Sequence, residues 1–304
     1  MTKRKMFRNE YLWKGLIMAG GLFMIIITLI IAFFLIFKGS GTFTQFGHSL
    51  AEFLFSASFS PGSSVGGESG AVGSAAFIMG SILTCGLALL ISTPFSLAAA
   101  IFMTEIAPKF GNRVLQSAIE IFVGIPSIVY GWTGLTILVP AVRDLFHLPY
   151  GNTIFTAALV LALMIFPSIT SVSADAIRGV PKEFHDAAYG LGATRWQMIH
   201  KVVIPAARSG IVTGVILGLA RAFGEALAVA MVIGKTKAFP KSLLNSGSTL
   251  TSIIASNMGN TFDGTEYNSA LWSMALLLFL ISLFFIVLIH LISAKGAKKA
   301  YGKD

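Results

Sequence analysis

The chain has 304 residues, of which 55% are hydrophobic and only 12% charged, and its formal net charge is +9. Charged residues make up about a quarter of an ordinary soluble domain, so this composition excludes one and indicates an integral membrane protein. Lys and Arg gather at the ends of apolar runs, as membrane topology requires, and not along one face as nucleic-acid binding requires.

A spanning helix takes about 20 mostly apolar residues. Residues 1–15 form a basic tail before the first such stretch, Leu16–Phe37. That stretch is longer than a signal-peptide core and ends without a small-residue cleavage site, which predicts a retained helix. Residues 38–74 read as a segment outside the membrane. Within it Phe46, Leu50, Phe53 and Leu54 recur at helical spacing and predict a helix lying on the outer membrane surface. The Gly/Ser-rich run from Pro61 to Gly70 predicts a flexible connector.

Residues 75–292 hold the other five predicted spans, Ala75–Phe102, Leu115–Val139, Ile154–Val172, Ile211–Ile233 and Ala270–Ile292. The chain thus reads as an all-α membrane protein with six transmembrane helices. Pro94, Pro126 and Pro167 fall inside spans and predict kinks. The single cysteine, Cys85, excludes an internal disulfide and reads as packing inside its apolar run. Gly234–Ser269 is polar and is the larger candidate for meeting an external partner, and residues 293–304 form a second basic tail.

Of the 22 Lys and Arg, sixteen fall in the two tails, beside Lys109 and in the 174–209 loop; five fall in the alternate loops, and Arg221 is inside a span. This bias places both termini and the 174–209 loop in the cytoplasm.

That loop predicts two short helices. Pro181 suits a first helical turn, Gly190 and Gly192 supply a break, Thr194-Arg195-Trp196-Gln197 has capping-box spacing, and Pro205 ends the second helix. In the fifth span, Arg221 and Glu225 stand four residues apart, on one helix face. A buried arginine costs a few kcal/mol on insertion scales and normally faces a bundle interior or a wet path. Two readings stand: a self-satisfying ion pair, or a forked donor to a passing oxyanion that Glu225 holds between passages. Glu120 is a second intramembrane carboxylate, and Ser127 and Ser168 place hydroxyls beside proline kinks.

Gly234-Lys235-Thr236 imitates the end of a P-loop, but Val229 stands where the first glycine belongs and a membrane span precedes it. No metal, nucleophile or cofactor motif is present, so the sequence reads as a non-enzyme that binds no cofactor.

Asp186-Ala187-Ala188, then Gly192, then Val202-Val203-Ile204-Pro205 resembles the E-A-A-x-x-x-G-x(9)-I-x-L-P loop by which ABC importer permeases dock on their ATPase. Asp186 replaces Glu, Val202 replaces Ile and Ile204 replaces Leu, each keeping its chemical character. Ala187–Trp196, Pro205–Ile211, Arg221–Glu225 and Phe122–Ser127 together resemble the PstC-type permeases of bacterial phosphate importers, over about Gly73 to the sixth span. The resemblance implies a type I ABC importer permease (MetI-like) fold in the bacterial cytoplasmic membrane. It implies a heterodimer with a PstA-type permease, two PstB-type ATPase subunits and an external PstS-type phosphate-binding protein. It also implies docking through Asp186, Ala187, Ala188, Gly192, Ile204 and Pro205, and phosphate passage past Arg221 and Glu225. Rival readings are a permease for another oxyanion (sulfate or molybdate), an ion-driven secondary transporter, whose internal repeats are not evident here, and a membrane enzyme.

Overall fold

The computed structural model describes residues 3–63 and 70–300, with side chains for 13–63, 70–111 and 113–292. The middle of the Gly/Ser-rich run (64–69), residues 1–2 and the last four residues, Lys303 among them, lie outside the described residues, as do the side chains of the other terminal basic residues except Lys14.

The first helix, α1, covers Lys3–Gly39, so the stretch expected to be a tail is helical from its third residue. It meets the rest of the chain near its C-terminal end, where Gly39 lies against Leu276 and Phe34 meets Trp272 edge-on at 5.2 Å. Most of its apolar side chains are exposed, which suits a helix solvated by lipid. A short helix α2 (Leu50–Phe55) follows, with Ser49 capping it through Glu52 N. Of the apolar residues expected along it, Phe53 is buried with Phe59, Phe77, Leu250 and Leu271, Leu50 is 61% exposed, and Phe46 lies outside the helix. Strands β1 (Phe59–Ser60) and β2 (Ala71–Val72) pair antiparallel around the Gly/Ser-rich run.

Helix α3 (Ala75–Ile101) continues through a π-helical turn, Phe102–Ile106. Helix α4 (Gln116–Gly124) and helix α5 (Ser127–Thr133) belong to the third predicted span. A π-helical turn, Gly134–Leu138, joins α5 to α6 (Val139–Leu145). The third span is therefore not one kinked rod. Pro108–Gly124 and Ser127–Leu145 meet at 93°. Pro126 drives Ile125 out of the helical region, to ψ 127°, and the chain turns there.

Helix α7 (Ile154–Arg178) is the centre of the bundle. Its Ala157, Ala158, Leu161, Met164 and Ile165 form the core with Cys85 and Ala88 of α3 and with Ala228 and Val229 further on. The small residues let helix backbones approach, the usual means of association between membrane helices. Pro94 and Pro167 lie within unbroken helices. Beside Pro167, Ser96 Oγ donates to Phe166 O at 3.1 Å and ties α3 to α7.

Helices α8 (Lys182–Gly190) and α9 (Arg195–Met198) make up the two-helix loop. A π-helical turn, Ile199–Val203, joins α9 to α10 (Ile204–Gly224). Pro205 thus sits in the first turn of α10 and does not end a helix. The wider π turn carries the chain past the missing proline N–H and the crowding of its ring. The fifth predicted span also departs from one rod: α10 stops at Gly224, and α11 (Leu227–Val232) resumes after two residues. The segment after it contains α12 (Leu250–Asn257), and α13 (Glu266–Ala300) closes the chain. Among the described residues, five helices are long and apolar enough to cross a membrane, six with the bent pair counted as one.

At the end of α3 opposite the two-helix loop, one carboxylate organises the polar segments. Glu266, only 2% exposed, accepts from Gly62 N at 2.5 Å and Gly70 N at 2.8 Å, and its Oε1 lies 2.6 Å from His48 Nε2. The Gly/Ser-rich run is thus pinned at both described ends. Glu52 lies 3.1 Å from His48 Nδ1. Burial opposes charge on His48, but the hydrogen bonds and charges of Glu266 and Glu52 prevail and raise it above 6.5. A raised folded value means that the added stability is complete below pH 6.5 and is lost as pH rises through the raised value. Thermal unfolding in detergent should therefore occur at a higher midpoint at pH 6 than at pH 8.5. His48→Gln should remove most of that difference; if the variant keeps it, another group is responsible.

Candidate functional site

Arg221 lies in the last turn of α10, where a cation suits the helix dipole. Its Nη1 donates to Ser168 Oγ of α7 at 2.6 Å. Among the described residues this is its one hydrogen bond, so four of the five guanidinium N–H donors remain without a protein partner. Tyr130 of α5 is within electrostatic reach, and its hydroxyl spans the break in the third span to Phe122 O at 2.8 Å.

Glu225 does not pair with Arg221. It falls after the end of α10 with extended backbone, ψ 123°, so the four-residue spacing no longer places the two on one face. Its Oε1 accepts from Ala228 N at 3.0 Å, one of the amides at the start of α11 that lack an intrahelical partner. Its carbonyl accepts from Thr251 Oγ1 at 2.7 Å, which folds the polar 234–269 segment back onto the break. The ion-pair reading is therefore not realised, and neither is a carboxylate resting on the guanidinium. What the chain builds is a helix end bearing a partly engaged arginine beside a helix start capped by a carboxylate.

Two breaks meet at this place. Gly131 of α5 lies so close to α11 that a Cβ there would stand 2.8 Å from Ala228 Cα. Only glycine allows that approach, which brings the bend of the third span against the gap in the fifth. Ser127 starts α5 at this bend, and Glu120 is exposed on α4, where it accepts from Gln116 Nε2 at 3.0 Å.

The two-helix loop is built from backbone rules. Ala193 N donates to Ala188 O at 3.0 Å and Gly192 N to Tyr189 O at 2.9 Å, the paired bonds of a Schellman turn. Gly192 holds φ +76°, while Gly190 stays inside α8, so the break belongs to Gly192 alone. Thr194 and Gln197 form the predicted reciprocal cap. Ala188 is buried against Val180, Met198 and Val203, and Ile204 packs on the same cluster. Asp186, Ala187 and Pro205 face outward, beside Leu191 at 90% exposure and Trp196 at 62%.

A profile of the family described as binding-protein-dependent transport system inner membrane component matches residues 92–297. The chain belongs to this family. This inner membrane component is 46% identical to the probable ABC transporter permease protein YqgH of Bacillus subtilis, over 94% of this chain and 92% of that one. It is 39% identical to the phosphate transport system permease protein PstC of Haemophilus influenzae, over 72% of this chain and 75% of that one. Among solved structures, a chain of a bacterial alginate ABC transporter aligns with a TM-score of 0.55 at 16% identity, covering 92% of this chain and 94% of that one. The fold is that of the type I ABC importer permeases, and this family member is a membrane permease subunit and not a soluble enzyme.

In this permease the contact of Ser168 with Arg221 has no local signal in the sequence: its hydroxyl stands beside Pro167, and its partner is 53 residues away. Gly234-Lys235-Thr236 follows the end of α11 as a turn with φ +95° at Gly234 and +60° at Lys235, without the helix that a phosphate-cradling loop needs.

Proposed function

We propose that this permease forms half of the path for inorganic phosphate in an ATP-driven importer of the bacterial cytoplasmic membrane. The observation that carries this reading is the Arg221 guanidinium, held by Ser168 at a break in the fifth span with most of its donors unspent. A planar fork of N–H groups matches a tetrahedral oxyanion, and a low-dielectric surrounding strengthens each bond. Glu225 serves release. It occupies the Ala228 amide at the start of α11, and its charge keeps the site weak enough for cargo to leave.

Cytoplasmic termini follow from the basic bias. The exposed Leu191 and Trp196, next to Asp186 and Ala187, supply a small convex surface for a groove on a PstB-type ATPase, of which two copies serve the complex. A PstA-type permease completes the path, and a PstS-type binding protein delivers phosphate to the opposite side. The PstC name of the Haemophilus relative supports the phosphate assignment.

Two measurements test this reading. In the reconstituted complex, ATP hydrolysis should rise with phosphate-loaded binding protein; a rise with sulfate or molybdate instead would transfer the role to that oxyanion. Ser168→Ala should lower maximal phosphate uptake roughly tenfold to a hundredfold, the scale of one hydrogen bond to a charged group. Ser168→Thr, which keeps the hydroxyl, should restore most of it. Unchanged uptake in Ser168→Ala would remove the hydroxyl from the path.

A further inference from the structure

We infer that Arg195 is a positioning residue that clamps the docking loop to the second span, so that the ATPase stroke reaches two spans at once. The inference rests on the importer reading above. Arg195 Nη2 donates to the carbonyls of Glu105, in a short contact, and Ile106 at 2.9 Å. These are the last carbonyls of the helix that begins with α3, where intrahelical donors have run out. Helix α8 grips the same corner, with His185 Nε2 3.5 Å from Glu105 Oε1. Both arms of the loop therefore converge on one residue of the second span.

Local stability does not account for this arginine. It is the first residue of α9, directly after the Thr194 cap. A cation is disfavoured by the helix dipole at that end, where an acid is the favoured residue. A residue that breaks a local rule while making two long-range bonds is placed for what those bonds do. The same cation is well matched to the C-terminal carbonyls that it actually meets.

The consequence concerns the anion site. Arg195 to Gly224 is one continuous apolar helix by length and composition, and it carries Arg221 roughly 39 Å from Arg195 at the helical rise. The second span carries Ser96, which holds Phe166 O two residues before Ser168. The docking loop thus has a covalent grip on the element that bears Arg221. Through Arg195 it has a second grip on the element that supports Ser168. Moving both together keeps the Arg221–Ser168 contact; moving one alone separates it.

The test uses the full reconstituted complex. Spin labels on Lys109→Cys and Lys201→Cys, both exposed and outside the described contacts, report the distance across the clamp. In the otherwise wild-type chain the distance should stay constant between ATP-free and ATP-bound states. In Arg195→Ala it should shift with ATP, and phosphate moved per ATP hydrolysed should fall about tenfold while the ATPase still co-purifies. Arg195→Lys, which can reach one carbonyl, should fall between. Full coupling in Arg195→Ala, or a clamp that opens with ATP in the wild-type chain, would overturn the inference and leave the importer reading intact. Absence of any co-purifying ATPase from the wild type would overturn both. If Arg195→Ala fails to assemble, the wild-type distance and the Lys variant decide the matter.

Discussion

Replacing Arg221 with glutamine should abolish phosphate uptake, by a factor of one hundred or more, while the complex still assembles. Glutamine keeps two N–H donors and much of the reach, and Ser168 can still accept from it. What it loses is the positive charge and the fork. Hydrogen bonds to a charged group contribute about 1.5–3 kcal/mol each, and tenfold corresponds to about 1.4 kcal/mol. Two such bonds to a phosphate, lost together, therefore exceed a hundredfold. Assembly should survive because Arg221 makes one hydrogen bond within the chain and no ion pair among the described residues. Removing the charge also relieves the cost of holding it inside the membrane. Lysine at this position should retain part of the activity, since it supplies charge without planarity. Uptake in Arg221→Gln close to that of the wild type would mean that the guanidinium is structural.

Replacing Gly192 with valine should break the link between hydrolysis and uptake. Gly192 holds φ +76°, and a β-branched residue there costs on the order of 1–3 kcal/mol. No atom lies within 4 Å of the Cβ position, so the penalty comes from the backbone and not from a clash. The spans should fold normally while the Schellman turn is displaced, which swings α8 relative to α9. Phosphate moved per ATP should then fall about tenfold. Gly192→Asn is the control, because asparagine enters the left-handed region more readily and should remain close to wild type. If valine and asparagine behave alike, the turn geometry is not what couples the loop.

The helices and the loop were legible because their signals are local. Apolar length marks α1, α3, α7 and α13 directly, and Thr194 with Gln197 writes its own cap. The two breaks were less so. Pro126 announced a disturbance, but its 93° size depends on what α5 packs against, and Gly131 beside Ala228 is a tertiary fact. The gap at Glu225–Ala226 carries no proline at all, so periodicity alone runs straight through it and puts Arg221 and Glu225 on one face. Pro205 misleads for the opposite reason: a π turn lets the helix pass a residue that usually ends one.

The central claim is that phosphate crosses at Arg221 only when a separate ATPase drives the two-helix loop. Proteoliposomes containing this chain, its partner permease and loaded binding protein, with or without the ATPase subunits, measure this directly. Phosphate should accumulate when the ATPase and ATP are both present and should stay at background when either is left out. Accumulation by the membrane subunits alone, at a rate independent of ATP, would contradict the account.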